Sequence, residues 1–466
     1  MELQKTFSPV DGRLLVEREL ASAAQLDVVL GHAVEAQRAW RNTPRDERAK
    51  VLGAFVDAVV ADTDTIADEL TQQMGRPRSQ TPGEVAGFAE RGRAMIETGL
   101  AHLADVPASE KDGFTRFIRR EPLGVVLVLA PWNYPWLTAV NAVVPALMAG
   151  NAVVLKHSDQ TPLVSERMVA AAQRAGVPSG VFAFVHMSHD RVAETVRDPR
   201  VAYVAFTGSV GGGRAVHRAA ADRFIQVGLE LGGKDPGYVC DDIDVEKAAD
   251  GLVDGAMFNS GQSCCGIERI YVHDAAYDAF VEAAVERVRA YQLGDPTVPE
   301  TNLGPVVRAS SAKQIRAQVD AALRAGAKGL VDPSGFPIAA ERGDPYLAPQ
   351  VLVDVSEDME LMREETFGPV VAIARVASDE EAIERMNASR YGLTASIWSQ
   401  DMERALRIGD QLETGTVFLN RCDYLDPELA WVGVKDSGNG CTLSRIGYEH
   451  LTRPKSFHLR HARLLG

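Results

Sequence analysis

The chain predicts an α/β fold built on a doubly wound, mostly parallel sheet. Three observations carry that prediction. Continuously apolar runs, such as residues 124–130, have the unbroken hydrophobicity of strands buried on both faces. Such runs alternate with amphipathic helical segments up to residue 229. Polar or glycine-rich turns stand where the strands end, and ligands of open α/β sheets collect beyond the carboxyl ends of strands.

Residues 1–20 read as a short edge hairpin turning at Pro9-Val10-Asp11-Gly12. Ser22-Ala23-Ala24-Gln25 forms a capping box that opens a helix to about residue 40. Helices follow over 45–60, 63–74 and 82–103, with Gly75-Arg76-Pro77 stopping the second of these. This part reads as scaffold. Residues 114–121 are strand-prone and rich in arginine, as an exposed edge or interface strand is. Buried strands are expected at 124–130 and 151–156, with helices near 137–149 and 162–175. Strands at 181–185, 201–206 and 224–229 alternate with helices near 190–197 and 210–220.

A second α/β unit is expected from about residue 239. Its helices fall at 245–258, 276–291, within 304–323, and at 379–388 and 402–412. Its strands fall at 267–273, 351–353, in a run ending near 375, and at 394–398 and 415–419. Residues 421–431 read as a polar loop and 433–447 as glycine-rich and irregular, before a final strand at 456–460.

Composition bounds the function. The 466 residues are 46% hydrophobic, enough for a large core in roughly two to three domains. The net charge of −15, from 49 basic and 64 acidic residues, argues against a nucleic-acid partner or an anionic membrane surface. The five cysteines (Cys240, Cys264, Cys265, Cys422 and Cys441) are irregularly spaced. They form no disulfide framework, which points to a reducing, cytoplasmic setting. No Cys/His spacing resembles a zinc site, so no metal is expected. No stretch of about 18 uninterrupted apolar residues is present, so no membrane span is expected. The N-terminal residues carry no apolar signal core, so no secretory leader is expected.

The strand ends carry the residues of interest. They read Pro131-Trp132-Asn133-Tyr134-Pro135, Lys156-His157-Ser158-Asp159, Thr207-Gly208-Ser209-Val210-Gly211-Gly212-Gly213 and Glu230-Leu231-Gly232-Gly233-Lys234. No dinucleotide fingerprint of the G-x-G-x-x-G type appears, because Val210 interrupts it. Gly208 and Gly213 have Walker spacing, but Arg214 replaces the lysine. A glycine-rich turn that enters a helix can still hold phosphate on backbone N–H groups. Lys156 and Asp159 could together hold an adenosine ribose. The stretch Asn259-Ser260-Gly261-Gln262-Ser263-Cys264-Cys265-Gly266 joins a helical run to a strand. Its small residues permit a tight turn that could present a sulfur to a reactive carbonyl. Each of these segments alone also reads as an ordinary turn, and a lone cysteine as packing.

Taken together, the segments resemble the NAD(P)-dependent aldehyde dehydrogenase superfamily over nearly the whole chain. The resemblance rests on Pro131-Trp132-Asn133, Lys156 with Asp159, Phe206-Thr207-Gly208-Ser209, Glu230-Leu231-Gly232-Gly233-Lys234, Gly261-Gln262-Ser263-Cys264 and Glu365-Thr366-Phe367-Gly368-Pro369. It implies an aldehyde-dehydrogenase-like α/β fold. A Rossmann-type cofactor domain would comprise residues 1–113 and 123–238. An α/β catalytic domain would cover 239–434, and a small oligomerisation β-arm would comprise 114–122 and 450–466.

The resemblance also implies roles. Cys264 would be the nucleophile and Glu230 the general base. Asn133 would join the Cys264 backbone N–H in stabilising the oxyanion. Lys156 and Asp159 would hold the adenosine ribose. Trp132, Gly208, Ser209 and Gly213 would border the cofactor, with Ser209 at the pyrophosphate. Glu365 would clamp the nicotinamide ribose, and Phe367 would pack beside the nicotinamide. Cys265 would be structural, or a disulfide partner under oxidation. His157 is given no role. Glu230 speaks against the acyl-CoA-forming branch of the superfamily.

Asp159 stands where the family usually has glutamate. An acid there repels a 2′-phosphate, so NAD is expected, with NADP possible. Trp431-Val432-Gly433-Val434-Lys435 and Asn439 depart from the family's common pattern near the substrate entrance. The loop from Arg421 to Glu428 matches the aldehyde tunnel, with Asp423 and Leu425 expected to face it. Its acids suggest that neutral or cationic aldehydes bind better than anionic semialdehydes. The expected activity is oxidation of an aldehyde to a carboxylate through a cysteine thiohemiacetal and thioester. A catalytically silent binding or structural relative of the same fold is the alternative. A thiol esterase that never uses the cofactor would not need Lys156 or Glu365. A homodimer or homotetramer is expected, joined through the β-arm.

Overall fold

The computed structural model describes residues 2–464. The chain opens with the hairpin β1 (Leu3–Phe7) and β2 (Leu14–Glu19). Four helices follow: α1 (Ala23–Trp40), α2 (Arg45–Ala61), α3 (Thr63–Met74) and α4 (Thr81–His102). Ser22 closes the expected capping box on α1, and Gly75 ends α3 in the left-handed conformation at φ 80°. Next come β3 (Val106–Pro107) and β4 (Phe114–Pro122). The alternation then runs β5 (Val125–Ala130), α5 (Pro135–Met148), β6 (Ala152–His157), α6 (Pro162–Arg174), β7 (Phe182–Phe184), α7 (His189–Arg197), β8 (Val201–Thr207), α8 (Val210–Ala220) and β9 (Gln226–Glu230).

The second half begins with β10 (Asp235–Val239), α9 (Val245–Met257), β11 (Ile267–His273), α10 (Tyr277–Arg289) and α11 (Ala309–Arg324). It continues with β12 (Lys328–Gly329), α12 (Pro337–Arg342), β13 (Gln350–Val353), α13 (Glu360–Arg363), β14 (Val370–Val376) and α14 (Asp379–Asn387). It ends with β15 (Tyr391–Gly392), β16 (Thr394–Trp398), α15 (Met402–Gly409), β17 (Thr416–Leu419), β18 (Val434–Lys435), β19 (Gly438–Asn439), α16 (Ser444–His450) and β20 (Thr452–Arg460).

Two large sheets organise these elements. The first has the order β19-β9-β8-β5-β6-β7 and is parallel apart from β19. The second has the order β12-β13-β14-β11-β10-β16-β17 and is parallel apart from β12. Every residue of β5 is buried, as its unbroken apolar run requires. Helix α4 packs on α5 through Phe88 and Trp136, whose rings meet edge to face at 5.4 Å. A third, antiparallel sheet, β20-β4-β3, stacks Phe117 on Phe457 and Phe114 on His458.

Two departures from the sequence expectation concern the sheets. Strand β10 was not foreseen, and it lies between β11 and β16 in the second sheet. A boundary at 238/239 therefore cuts through a strand that belongs wholly to that sheet. Its Asp235-Pro236-Gly237 start has poor strand propensity. Burial between two neighbours overrides that, and Asp235 is satisfied by the Thr394 N–H and hydroxyl at 3.0 and 2.6 Å. The stretch expected to be irregular at 433–447 holds β18, β19 and the start of α16, pieces too short to leave a periodic signal.

Candidate active site

The turn that carries Cys264 lies between α9 and β11 and is held in an unusual shape. Asn259 and Ser260 both take left-handed backbone angles, with φ of 52° and 57°. Such positions cost roughly 1–3 kcal/mol each and persist where surroundings over-determine them. Here the surroundings do so. Asn259 Nδ2 donates to the carbonyls of Asn133 and Gln262 at 3.1 and 3.2 Å. Asn259 Oδ1 accepts from Arg76 Nε at 3.1 Å. Ser260 Oγ donates to the Gly304 carbonyl at 2.8 Å, and Gln262 Oε1 accepts from the Val307 N–H at 2.8 Å. Arg76 itself forms a buried ion pair with Glu84, whose other oxygen accepts the Trp136 N–H at 2.8 Å. The turn that carries Cys264 is thus tied to the turn that carries Asn133.

Cys264 stands where two cavities meet. The larger, about 480 Å³, is a tunnel lined in part by Arg91, Leu137, Asn141, Asp423, Leu425 and Trp431. The smaller, about 300 Å³, is a crevice lined in part by Trp132, Asn133, Gly208, Ser209, Glu365 and Phe367. Thr207, Glu230, Leu231 and Cys264 line both. A Cβ at Gly233 would lie 2.7 Å from the Cys264 carbonyl oxygen, so glycine lets the Cys264 turn approach the end of β9.

Glu230 ends β9 and accepts hydrogen bonds from Thr207 Oγ1 at 3.0 Å and from Thr442 Oγ1. Burial raises its carboxyl pKa, and the two hydroxyls partly offset the rise. Asn133 is buried and donates from Nδ2 to the Gln262 carbonyl at 3.3 Å, which leaves one amide hydrogen uncommitted. Cys265 is buried, and its thiol donates to Asp423 Oδ1 at 2.9 Å. Contact with Cys264, burial and the Asp423 charge all push the Cys265 pKa well up, so it stays a thiol.

The crevice fits a dinucleotide on its own chemistry. Trp132 and Phe367 meet edge to face at 5.5 Å beside Cys264. Ser209 caps α8, with its Oγ accepting the Gly212 N–H at 3.2 Å, so a helix N-terminus opens on the crevice. Glu365 accepts the Gly233 N–H at 3.1 Å, and burial, with Glu268 nearby, pushes its carboxyl up to about 8. A buried Lys234–Glu268 pair holds this loop from below. Lys234 donates to Thr366 Oγ1 at 2.9 Å, and Glu268 accepts the N–H groups of Thr366 and Phe367.

Three expected cofactor residues do not line this crevice. Gly213 is outside the crevice, and a Cβ there would lie 2.6 Å from Leu231, so it serves helix-to-sheet packing. Lys156 and Asp159, at and after the end of β6, do not line the crevice either. Asp159 is paired with Arg308 at 2.8 Å.

Asp423 and Leu425 both line the tunnel, as expected. Asp423 does not face the tunnel as an unbonded acid. Its Oδ1 accepts from Ser263 Oγ at 3.1 Å and from Cys265, and burial raises its pKa toward the neutral form. His157 is buried, with Nε2 3.1 Å from the Pro135 carbonyl. Sequence reasoning missed Arg76, Glu84, Arg91, Asn141 and Thr442, none of which stands out within its own segment, and it gave Thr207 no role within the motif that contains it.

The aldehyde dehydrogenase family model matches residues 2–457. A succinate-semialdehyde dehydrogenase (NADP(+)) 1 from Mycobacterium ulcerans (strain Agy99) is 37% identical over 454 residues, 97% of this chain and 98% of that one. A 3,6-anhydro-alpha-L-galactose dehydrogenase from Streptomyces coelicolor (strain ATCC BAA-471 / A3(2) / M145) is 36% identical over 458 residues, 98% of this chain and 93% of that one. The crystal structure of an NAD-dependent aldehyde dehydrogenase from Sinorhizobium meliloti superposes with a TM-score of 0.95 at 32% identity, covering 99% of this chain and 92% of that one.

Proposed function

The chain belongs to the aldehyde dehydrogenase family and oxidises aldehydes with NAD(P), and from that premise we propose that Cys264, Asn133 and Glu230 perform the chemistry. The observation that carries this reading is that Cys264 and Glu230 line both the tunnel and the crevice. A carbonyl arriving by the one meets a hydride acceptor held in the other.

The Cys264 thiolate attacks the aldehyde carbon and forms a thiohemiacetal. Its oxyanion is stabilised by the free Asn133 amide hydrogen and the Cys264 backbone N–H. A nicotinamide held in the crevice would supply the hydride acceptor. Loss of hydride leaves a thioester on Cys264. Glu230 takes a proton from water, the water attacks the thioester, and the carboxylate leaves as the thiol is restored. Burial raises the proton affinity of Glu230, which makes it a stronger base once deprotonated. Trp132, Gly208, Ser209, Glu365 and Phe367 border the cofactor in this reading. Lys156 and Asp159 take its adenosine ribose.

The preference for NAD expected from Asp159 assumed an unpaired acid. With Arg308 beside it, the local charge is close to balanced, and we assign both NAD and NADP as usable. The substrate is assigned as a small polar aldehyde, in line with the succinate semialdehyde and anhydrogalactose in the relatives' names. The β20-β4-β3 sheet leaves Val106, Ile118 and Leu459 exposed, which supports pairing of subunits there into a dimer or tetramer. No described helix is long and apolar enough to cross a membrane; the cytoplasm is the proposed compartment.

Rapid mixing tests the roles. Cys264→Ala should abolish NADH formation while NAD still binds. Glu230→Gln should give one equivalent of NADH per site and then stall at the thioester. Retained turnover in Cys264→Ala would move the nucleophile elsewhere.

A further inference from the structure

Arg91 lies on α4 and lines the tunnel, yet only 8% of it is exposed. Its Nη1 donates to the Leu137 carbonyl at 2.9 Å and to Asn141 Oδ1 at 3.4 Å. Among the described residues, its Nη2 and Nε make no hydrogen bond, and no carboxylate forms an ion pair with it. A buried cation is costly unless an anion or a full set of acceptors compensates it. The other arginine of the lining, Arg76, is committed to Glu84. Next to Arg91, Asn141 is 2% exposed and its Nδ2 has no hydrogen-bond partner at all. An unsatisfied buried amide donor in a native structure calls for an explanation.

The carboxyl groups that share the tunnel do not supply the missing acceptor. Glu84 is held by Arg76 and the Trp136 amide. Asp423 takes Ser263 and Cys265, Glu230 takes Thr207 and Thr442, and Glu90 takes the Tyr424 hydroxyl. Asp254 is part of the lining but forms no ion pair with Arg91. Two touching side chains thus offer uncommitted N–H groups in the cavity that leads to Cys264.

We propose that Arg91, with Asn141 Nδ2 beside it, binds a carboxylate at the far end of the aldehyde, so that the preferred substrates are aldehyde acids. The inference rests on the aldehyde-oxidising reading above and gives its tunnel a substrate class. A guanidinium and a carboxylate match in charge and in fork geometry, and the pairing would satisfy both orphaned donors at once. It reverses the preference for neutral or cationic aldehydes expected from the acids of the 421–428 loop. Of those acids, Asp423 lines the tunnel, and its Oδ1 is already taken by Ser263 and Cys265.

The test compares succinate semialdehyde with butanal, which has the same chain length and ends in a methyl group. In the wild type, kcat/KM for the semialdehyde should exceed that for butanal by about tenfold or more, mainly through KM. Arg91→Met should collapse that ratio. Arg91→Lys should restore part of it, and Asn141→Leu should lower it to a lesser degree. NAD binding and melting temperature identify any variant that fails to fold, and the remaining variants then decide. A wild-type ratio near one, or equal losses on both substrates in Arg91→Met, would overturn the proposal. If neither aldehyde yields NADH, the aldehyde reading of the site has failed, and succinate alone becomes the probe. A succinate-induced rise in melting temperature that Arg91→Met removes still supports an anion site; no rise in the wild type refutes it.

Discussion

Thr442 donates its hydroxyl hydrogen to Glu230 across 212 residues of chain, while Thr207 holds the other carboxyl oxygen at 3.0 Å. The two hydroxyls favour the charged form of Glu230 and so moderate the rise that burial causes. Glu230 acts as a base only when deprotonated. Turnover limited by deacylation should therefore fall as pH drops through its raised pKa. Thr442→Val removes one stabilising donor and raises that pKa further. The acid limb of kcat against pH should then move to higher pH, with little change in the size of the NADH burst. An unmoved limb would mean that Glu230 does not titrate in the limiting step.

Cys265 and Asp423 form the second contact that shapes the site. Cys265→Ser keeps a donor for the Asp423 carboxyl and should retain most of the turnover. Cys265→Ala leaves a buried carboxyl with one donor fewer, which costs roughly 1–3 kcal/mol. Melting temperatures measured on the two variants should place Ala clearly below Ser. Equal melting temperatures would mean that the thiol contributes packing alone.

The sequence makes the proposed reacting groups legible and conceals what holds them. Cys264, Glu230, Asn133 and Glu365 each lie in a short local motif at a strand end or turn, where the chain's own punctuation marks them. Thr442, Arg76 and Arg91 lie in helical or irregular stretches that look like scaffold, and they reach the site only through packing of α3, α4 and the end of the chain. Strand β10 was hidden for a related reason. Asp235, Pro236 and Gly237 are poor strand formers, and only their burial between β11 and β16 makes them one. Counting Asp423 as a free tunnel charge left out its burial, which raises its carboxyl pKa, and the Ser263 and Cys265 donors that partly offset the rise.

Arg308 faces Asp159 at 2.8 Å and also donates to Gln160 Oε1 at 3.1 Å. In the proposed ribose site, an unpaired acid would repel a 2′-phosphate. Arg308→Ala should therefore raise KM for NADP more than for NAD, by about fivefold or more in the ratio. Asp159→Asn should shift the ratio the other way. Kinetics with both cofactors at a fixed aldehyde concentration measure it, and an unchanged ratio in both variants would place the adenosine ribose elsewhere.

His157 makes a pH prediction for stability. Burial pushes its pKa from 6.5 down to about 3. The neutral ring is therefore favoured in the folded chain, while the unfolded chain takes up a proton below pH 6.5. Above 6.5 the group contributes no pH dependence. Below it, stability falls by about 1.4 kcal/mol per unit of pH until the folded pKa is reached. Denaturant midpoints taken between about pH 7.5 and about pH 5 should drop less steeply in His157→Gln than in the wild type. Parallel slopes would show that the ring is already charged in the folded state.

The buried Arg76–Glu84 pair couples stability to catalytic geometry. Arg76 reaches Asn259 Oδ1 at 3.1 Å and the Asn133 carbonyl at 3.2 Å, so it braces both the turn of Cys264 and the turn of Asn133. Its own charge is met by Glu84. Removing one member of a buried pair strands the other and costs roughly 3–5 kcal/mol. Glu84→Gln should lower stability by an amount of that order and also slow thiohemiacetal formation, because Asn133 is then poorly held. Replacing both, as Arg76→Met with Glu84→Leu, avoids the stranded charge and should recover much of the stability. It should not recover the rate, since the contacts to Asn259 and Asn133 are still lost. Denaturant melts and single-turnover rates on the same three proteins separate the two effects. Rates that rise in step with stability would mean that the pair acts on the fold alone.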